Sequence, residues 1–313
     1  MARKLRGCFA GRLVEVTTRT FQSRYLLRPG RLINQTVTGV LARAQDRTGM
    51  KIVGPVAMSN HMHLLLAPET TKQLTEFMRY VNSNVARKVG RLHGWKGKFW
   101  DKRYSAIVVS HEEEAQVARL KYLLSQGVKE GLVKRPEDWP GLHVGRALEK
   151  GYSSISGGLW HDRTAQYRAR LRVSANHVTT AEFVQKDLSI KLSTLPCWEG
   201  LTWRQRRDAV RALIDNIVLE AERQRDERTV VGAEAVSGQD PLAAPVRSDR
   251  RNAPPCHAAS RNARRKLLRE LRDFRGAFLT AAEDLRNGRN ACFTEGSFPP
   301  GLPYVAESTT PDG

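Results

Sequence analysis

The sequence predicts an α+β fold: an antiparallel sheet with helices on one face, followed by a mostly helical C-terminal extension. Three observations carry that expectation. Short β-branched runs alternate with long stretches of helical periodicity over the first 140 or so residues. Two apolar runs are joined by a Ser-Asn pair, which is hairpin chemistry. Beyond residue 160 the apolar spacing is helical and dense in arginine.

The elements follow in order. Residues 13–19 (LVEVTTR) alternate and are rich in β-branched side chains, as a strand requires. Residues 32–47 place Ile33, Val37, Val40, Leu41 and Ala44 at helical spacing. Residues 51–58 and 61–66, separated by Ser59 and Asn60, form the hairpin. Residues 71–92 carry Leu74, Phe77, Met78, Val81, Val85 and Val89 along one helical side. Residues 104–109 (YSAIVV) are a further strand. Ser110 to Glu113 has the S-x-x-E form of a capping box and opens a helix running to about Gly127. The order β-α-β-β-α-β is the ferredoxin-like arrangement, and it hosts many functions.

Composition divides the chain. A first domain spans 1–140, a Gly/Ser-rich boundary 141–160, a basic helical extension 161–230, a flexible linker 231–260, and a basic helix with a poorly ordered tail 261–313.

The chain has 313 residues, 40% of them hydrophobic, and a formal net charge of +20. A core of substantial size can therefore form, which excludes global disorder. The positive field favours nucleic acid over small neutral substrates. Cys8, Cys197, Cys256 and Cys292 lie far apart with no C-x-x-C pair, so neither a zinc ribbon nor a disulfide framework is expected, and a reducing, cytoplasmic setting fits. No signal peptide and no membrane span are expected.

Chemistry concentrates at His61-Met62-His63. Side chains at i and i+2 of a strand share a face, so the imidazoles stand side by side while Met62, Leu64 and Leu66 fill the other face. That is a bidentate metal platform. Eight histidines give roughly 0.2 such pairs by chance, so two ordinary strand histidines are the bland alternative. On the following helix Tyr122 and Gln126 are four apart and share a face, whereas Val117, Leu120 and Leu124 form a separate apolar stripe. Tyr122 then faces a cleft or solvent, a tyrosine packed against a second layer being the alternative. Lys96, Lys98, Lys102 and Arg103 cluster around Trp95, Phe99, Trp100 and Tyr104, a pattern suited to nucleic-acid binding. The alternative is that Phe99 and Trp100 belong to the core.

Four blocks in order resemble the HUH single-tyrosine transposases, the REP-associated and insertion-sequence type. Residues 56–66 (VAMSNHMHLLL) look like the family's MPNHVHLLL strand, and residues 98–107 (KFWDKRYSAI) like the block after its long helix. Residues 121–126 (KYLLSQ) and 131–139 (GLVKRPEDW) are similar to RYIELNPVRAGLV--PEDY-W. The resemblance covers about residues 8–140. It implies His61 and His63 as the metal pair, Tyr122 as the nucleophile and Gln126 as a third, amide-type ligand. It also implies single-stranded or hairpin DNA as substrate, a 5′-phosphotyrosine intermediate, Mg2+ or Mn2+ as the divalent metal, and a homodimer as one option. Two departures stand out. Ser59 replaces the usual proline before Asn-His, and Gln-Gly-Val-Lys-Glu-Gly (126–131) replaces NPVRAG. The second predicts a looser helix end beside Gln126, and it keeps a domesticated, non-catalytic DNA- or RNA-binding protein as the alternative function.

Overall fold

A computed structural model describes residues 11–172, 179–225, 228–245, 253–297 and 299. The predicted elements of the first domain appear within a residue or so of their expected bounds, except that the last helix is shorter at both ends: strand β1 (Val14–Arg19), helix α1 (Arg31–Thr48), strands β2 (Lys51–Met58) and β3 (His61–Ala67), helix α2 (Thr71–Leu92), strand β4 (Ser105–Val109) and helix α3 (Glu113–Leu124). β1 pairs antiparallel with both β3 and β4, and β2 with β3, giving the order β2-β3-β1-β4 of the ferredoxin-like arrangement.

Helices α1 and α2 bury the face carrying Val14, Val16, Met62, Leu64 and Leu66. The opposite face is covered as well. Leu13, Val53, Val56 and Leu65 pack under Leu120, Leu123 and Leu124 of α3 and under Val210, Ile214 and Ile217 of α6 (Trp203–Arg225). Alternation along β1 and β3 therefore feeds two cores, and the second is completed by the C-terminal extension.

The boundary expected at 141–160 is packed structure. It holds helix α4 (Gly145–Lys150) and most of strand β5 (Ser154–His161). The extension also contains strand β6 (Val184–Lys191), which pairs with β5 as a separate two-stranded sheet laid against α1. Its VQKDLSIK sequence buries Ile190 alone, so no alternating pattern announced it. Helix α5 (Arg163–Arg172) follows β5. At the crossing of α1 and β5 the backbones meet: a Cβ on Gly39 would stand 2.2 Å from the Leu159 carbonyl oxygen. Only glycine permits that approach.

The stretch read as a flexible linker is tied down at both ends where it is described. Val231 and Gly232 amides donate to the Gly131 and Leu132 carbonyls at 2.9 Å each, and Tyr25 N donates to Ala243 O at 3.1 Å. Helix α7 (Ala233–Ser237) lies between, and Arg28 donates to Ser237 O at 2.6 Å. Strand β7 (Cys256–His257) then adds to the sheet beside β4, in parallel. Backbone hydrogen bonds hold this segment, and composition does not reveal those. Residues 246–252 of it, Cys8, and most of the tail lie outside the described residues.

The capping box does not form. Ser110 Oγ donates to Glu112 Oε2 (2.7 Å), and α3 begins after Glu112. The Glu112 carboxylate accepts instead from Ala259 N (2.9 Å) and Ser260 N (3.0 Å) at the start of helix α8 (Arg261–Arg286). Hydrogen bonds from Ser260 and Ser110 hold its pKa down to about 2. α8 otherwise packs through Leu267 and Leu271 on Val108 and Cys256. Among the described residues no helix is long and apolar enough to cross a membrane.

Two tests follow from this packing. Gly39→Ala forces α1 away from β5 and is expected to cost about 1–3 kcal/mol in urea unfolding, the range for overpacking. Glu112→Gln removes a charge-assisted cap, so proteolytic release of α8 is expected to quicken at neutral pH. Because the Glu112 pKa is depressed on folding, its contribution is present above about 4.5 and is lost as pH falls toward 2. Wild type is therefore expected to approach the variant's cleavage rate over that interval.

Candidate functional site

The site lies at the β3 start, where three elements converge. Pairing of β1 with β3 sets Arg19 opposite His61 and Thr17 opposite His63. The two imidazoles project to the α3 side of the sheet, with ring centroids 4.9 Å apart. The Tyr122 ring comes down from α3 to 5.8 Å from that of His63. The phenol is 37% exposed, while His63 is 5% exposed and Gln126 1%. Tyr122 is thus open to solvent beside buried His63 and Gln126 and half-buried His61, and is not a second-layer core residue.

The histidines are held in one orientation. His63 Nδ1 lies 2.9 Å from Glu15 Oε1 and 3.1 Å from Thr17 Oγ1, and His61 Nδ1 lies 2.6 Å from Asn60 Oδ1. A carboxylate accepts hydrogen bonds, so the His63 ring carries its proton on Nδ1 and leaves Nε2 with a free lone pair, while the Asn60 amide orients the His61 ring. Both rings are kept neutral. Burial, then Lys129 and Arg19, bring the His63 pKa down to about 3. Burial, then His63, Arg19 and Lys129, push His61 well below its ordinary value, opposed by a hydrogen bond with the Gln126 side chain. Gln126 Nε2 donates to the Tyr122 carbonyl (2.9 Å), which leaves its Oε1 as the amide's donor atom. Two neutral imidazole nitrogens and an amide oxygen are a donor set that fits a divalent cation of intermediate hardness.

Gly127 does not loosen the end of α3. With φ at 85° it occupies the left-handed region, its amide donates to Glu130 Oε2 (2.6 Å), and its carbonyl accepts from Leu132 N (2.8 Å). The Trp139 ring covers it, and Trp139 Nε1 donates to Ala57 O at 2.9 Å. Two residues past the Ser125 C-cap, this left-handed glycine closes the turn after α3, and its contacts hold the backbone next to Gln126.

Four residues of the cluster escape a reading of the sequence alone. Glu15 is 1% exposed and bridges His63 to Arg119, with which it forms an ion pair. Arg119 lies 4.6 Å from the Tyr122 ring centroid, and Lys129 Nζ 3.7 Å from it. Arg19 faces His61. One signal was available: Glu15 is an acid at an inward position of a strand.

The basic segment 96–103 runs beside this site. Phe21 N donates to Phe99 O (2.7 Å) and Asp101 N to Arg19 O (2.9 Å), so the segment follows β1 past its His61 end. Lys96, Lys98, Lys102 and Arg103 are exposed. Phe99 is 5% exposed and belongs to the core, which removes it from any base-stacking role. Trp100 is half-buried, its Nε1 donating to Asn82 O at 2.8 Å.

An antiparallel sheet thus presents paired histidines to a helix-borne tyrosine. Residues 18–126, about a third of the chain, match the family model described as IS200-like transposase. Among solved structures, a REP-associated tyrosine transposase bound to a REP hairpin is 19% identical, with 48% of this chain and 87% of that one covered and a TM-score of 0.41. A provisionally named transposase from Deinococcus radiodurans R1 is also 19% identical, covering 38% and 95%, with a TM-score of 0.28. No curated protein sequence matches the chain.

Glu15→Ala would leave Arg119 buried without its partner and release the His63 ring. It is expected to destabilise the fold by about 3 kcal/mol, as breaking buried ion pairs does. Glu15→Gln, which keeps an acceptor for His63, is expected to lose less in the same urea titration.

Proposed function

We propose that this chain is a DNA transposase that cleaves and rejoins strands by transesterification at Tyr122. The observation that carries this reading is the 5.8 Å approach of an accessible phenol to the buried His63 ring of a neutral histidine pair. The transposase family of residues 18–126 supports DNA as the substrate class.

In the proposed reaction the Tyr122 oxygen attacks a scissile phosphorus in line with the leaving 3′-oxygen. The Oη–P bond forms, the P–O3′ bond breaks, the phenolic proton is given up and the 3′-oxygen takes one up. The products are a 5′-phosphotyrosine and a free 3′-hydroxyl. The link conserves the phosphodiester bond energy, so a second strand's 3′-hydroxyl can reverse the step without nucleotide hydrolysis. An unassisted phenol, with a pKa near 10, is a poor nucleophile at neutral pH. Lys129 and Arg119 flank the ring and stabilise negative charge developing on the phenol oxygen and the phosphate. His61, His63 and Gln126 would hold the divalent metal, Mg2+ or Mn2+, which when bound supplies Lewis-acid polarisation of the phosphate. The exposed Lys96, Lys98, Lys102 and Arg103 contact the DNA backbone beside the site. A single-stranded or hairpin DNA fits this reading because the phosphate must enter a cleft between helix and sheet.

A suitable assay offers labelled single-stranded and hairpin oligonucleotides with Mg2+ or Mn2+. A covalent protein–DNA adduct is expected from wild type and none from Tyr122→Phe. His63→Ala and chelation are each expected to lower its yield at least 100-fold, the scale on which lost electrostatic stabilisation shows. An adduct persisting in Tyr122→Phe would sink the assignment. Tight DNA binding with no adduct from wild type would favour the non-catalytic binding protein.

A further inference from the structure

Away from the tyrosine, an apolar cleft of about 160 Å3 opens where α4, α6 and the segment after β6 meet. Its floor is Val53, Leu120, Leu148 and Val210. Two aromatic side chains stand at its mouth, Tyr152 at 60% and Trp203 at 53% exposed. Two exposed aromatics beside an apolar cleft form the kind of patch that marks a ligand-binding groove.

The polar groups around the cleft define what that ligand is. Arg206 and Arg207 line it. Arg207 is engaged, bonding Asp208 at 3.0 Å and lying 5.1 Å from the Trp203 ring centroid. Arg206 is half-buried in the lining, and among the described residues it has no acidic partner. The Thr194 hydroxyl, also in the lining, is buried with no hydrogen-bond partner. An apolar cleft, two solvent-exposed aromatic side chains, a guanidinium without an acidic partner among the described residues and an unused hydroxyl match a nucleobase attached to a phosphate. The volume lies below the ~300 Å3 at which pockets for drug-sized molecules begin, and admits one ring system. An apolar protein segment would leave the guanidinium without an anion.

We propose that this cleft is a nucleobase slot that captures one base of a single-stranded DNA flank while the scissile phosphate lies at Tyr122. The inference rests on the transposase reading for its choice of DNA. Leu120 of the cleft floor and Tyr122 belong to the same helix, so α3 links the slot to the nucleophile. The lining residues beyond 126 lie outside the family match, so the slot is a contribution of the extension. Selection of the cleaved strand by a base held at fixed distance from the tyrosine follows from that arrangement.

The test uses the full chain carrying Tyr122→Phe, so that binding is read without cleavage. Hairpin DNA with a single-stranded flank is titrated by fluorescence anisotropy, and each flank position is replaced in turn by an abasic site. One position is expected to weaken binding about tenfold, the scale of one stacked base. Adding Trp203→Ala is expected to cost the same factor with the intact flank, and the abasic site should then have no further effect. Trp203→Phe, which keeps a ring, is expected to restore binding to within about threefold, which separates stacking from misfolding. Arg206→Gln should weaken flank binding without altering affinity for blunt duplex. Multiplicative losses from Trp203→Ala and the abasic site would overturn the proposal, as would the absence of any sensitive position. So would an RNA flank bound more tightly than DNA, or a free mononucleotide competing at the affinity of the flank. Failure to bind any DNA would overturn the transposase reading along with it.

Discussion

A single carboxylate organises the site. Glu15 lies in an otherwise apolar part of β1, fully enclosed, with one oxygen on the His63 ring and the other on the Arg119 guanidinium. A charge buried in that way is tolerated only when it is paired and hydrogen-bonded. The pairing ties the central strand of the sheet to β3 on one side and to α3 on the other. It sets the proton on Nδ1 of His63, and it holds Arg119 beside the Tyr122 ring. The mutual placement of histidine and tyrosine, which belong to different elements, is therefore a consequence of satisfying one buried anion.

The electrostatics around that pair are asymmetric. The histidines are neutral because burial and the nearby cations Lys129 and Arg19 disfavour a further positive charge. The same cations make the space in front of the phenol attractive to an anion. In the proposed reaction, neutral donors at the back and positive charge at the front would let a metal ion and a phosphate enter without either having to displace a proton from an imidazole.

Much of this was legible from the residues. Periodicity placed α2 to the residue and the hairpin around Ser59 and Asn60, because apolar spacing and turn chemistry are local properties. The i, i+2 histidines and the i, i+4 pair of Tyr122 and Gln126 followed from strand and helix geometry alone. What escaped depends on register and on contacts between distant segments. Glu15 and Arg19 become part of the site only once β1 is known to lie against β3, and Arg119 only once α3 is seated over that face. Glu112 sits where a capping box should form, yet its side chain serves a helix almost 150 residues later. Residues 231–243 are small, polar and proline-containing, and nothing in that composition signals that their backbone is pinned at Gly131 and at Tyr25.

The two-sided sheet limits how the molecule can be divided. A break near residue 140, where composition changes, would strip α6 from α3 and leave Val53, Leu123 and their neighbours facing water. It would also detach the hairpin of β5 and β6 from α1, along which Gly39 and Leu159 touch. The N-terminal sheet thus shares its second layer with the rest of the chain. A gene fragment ending at that point would encode a sheet with one wet, oily side, prone to stick to copies of itself.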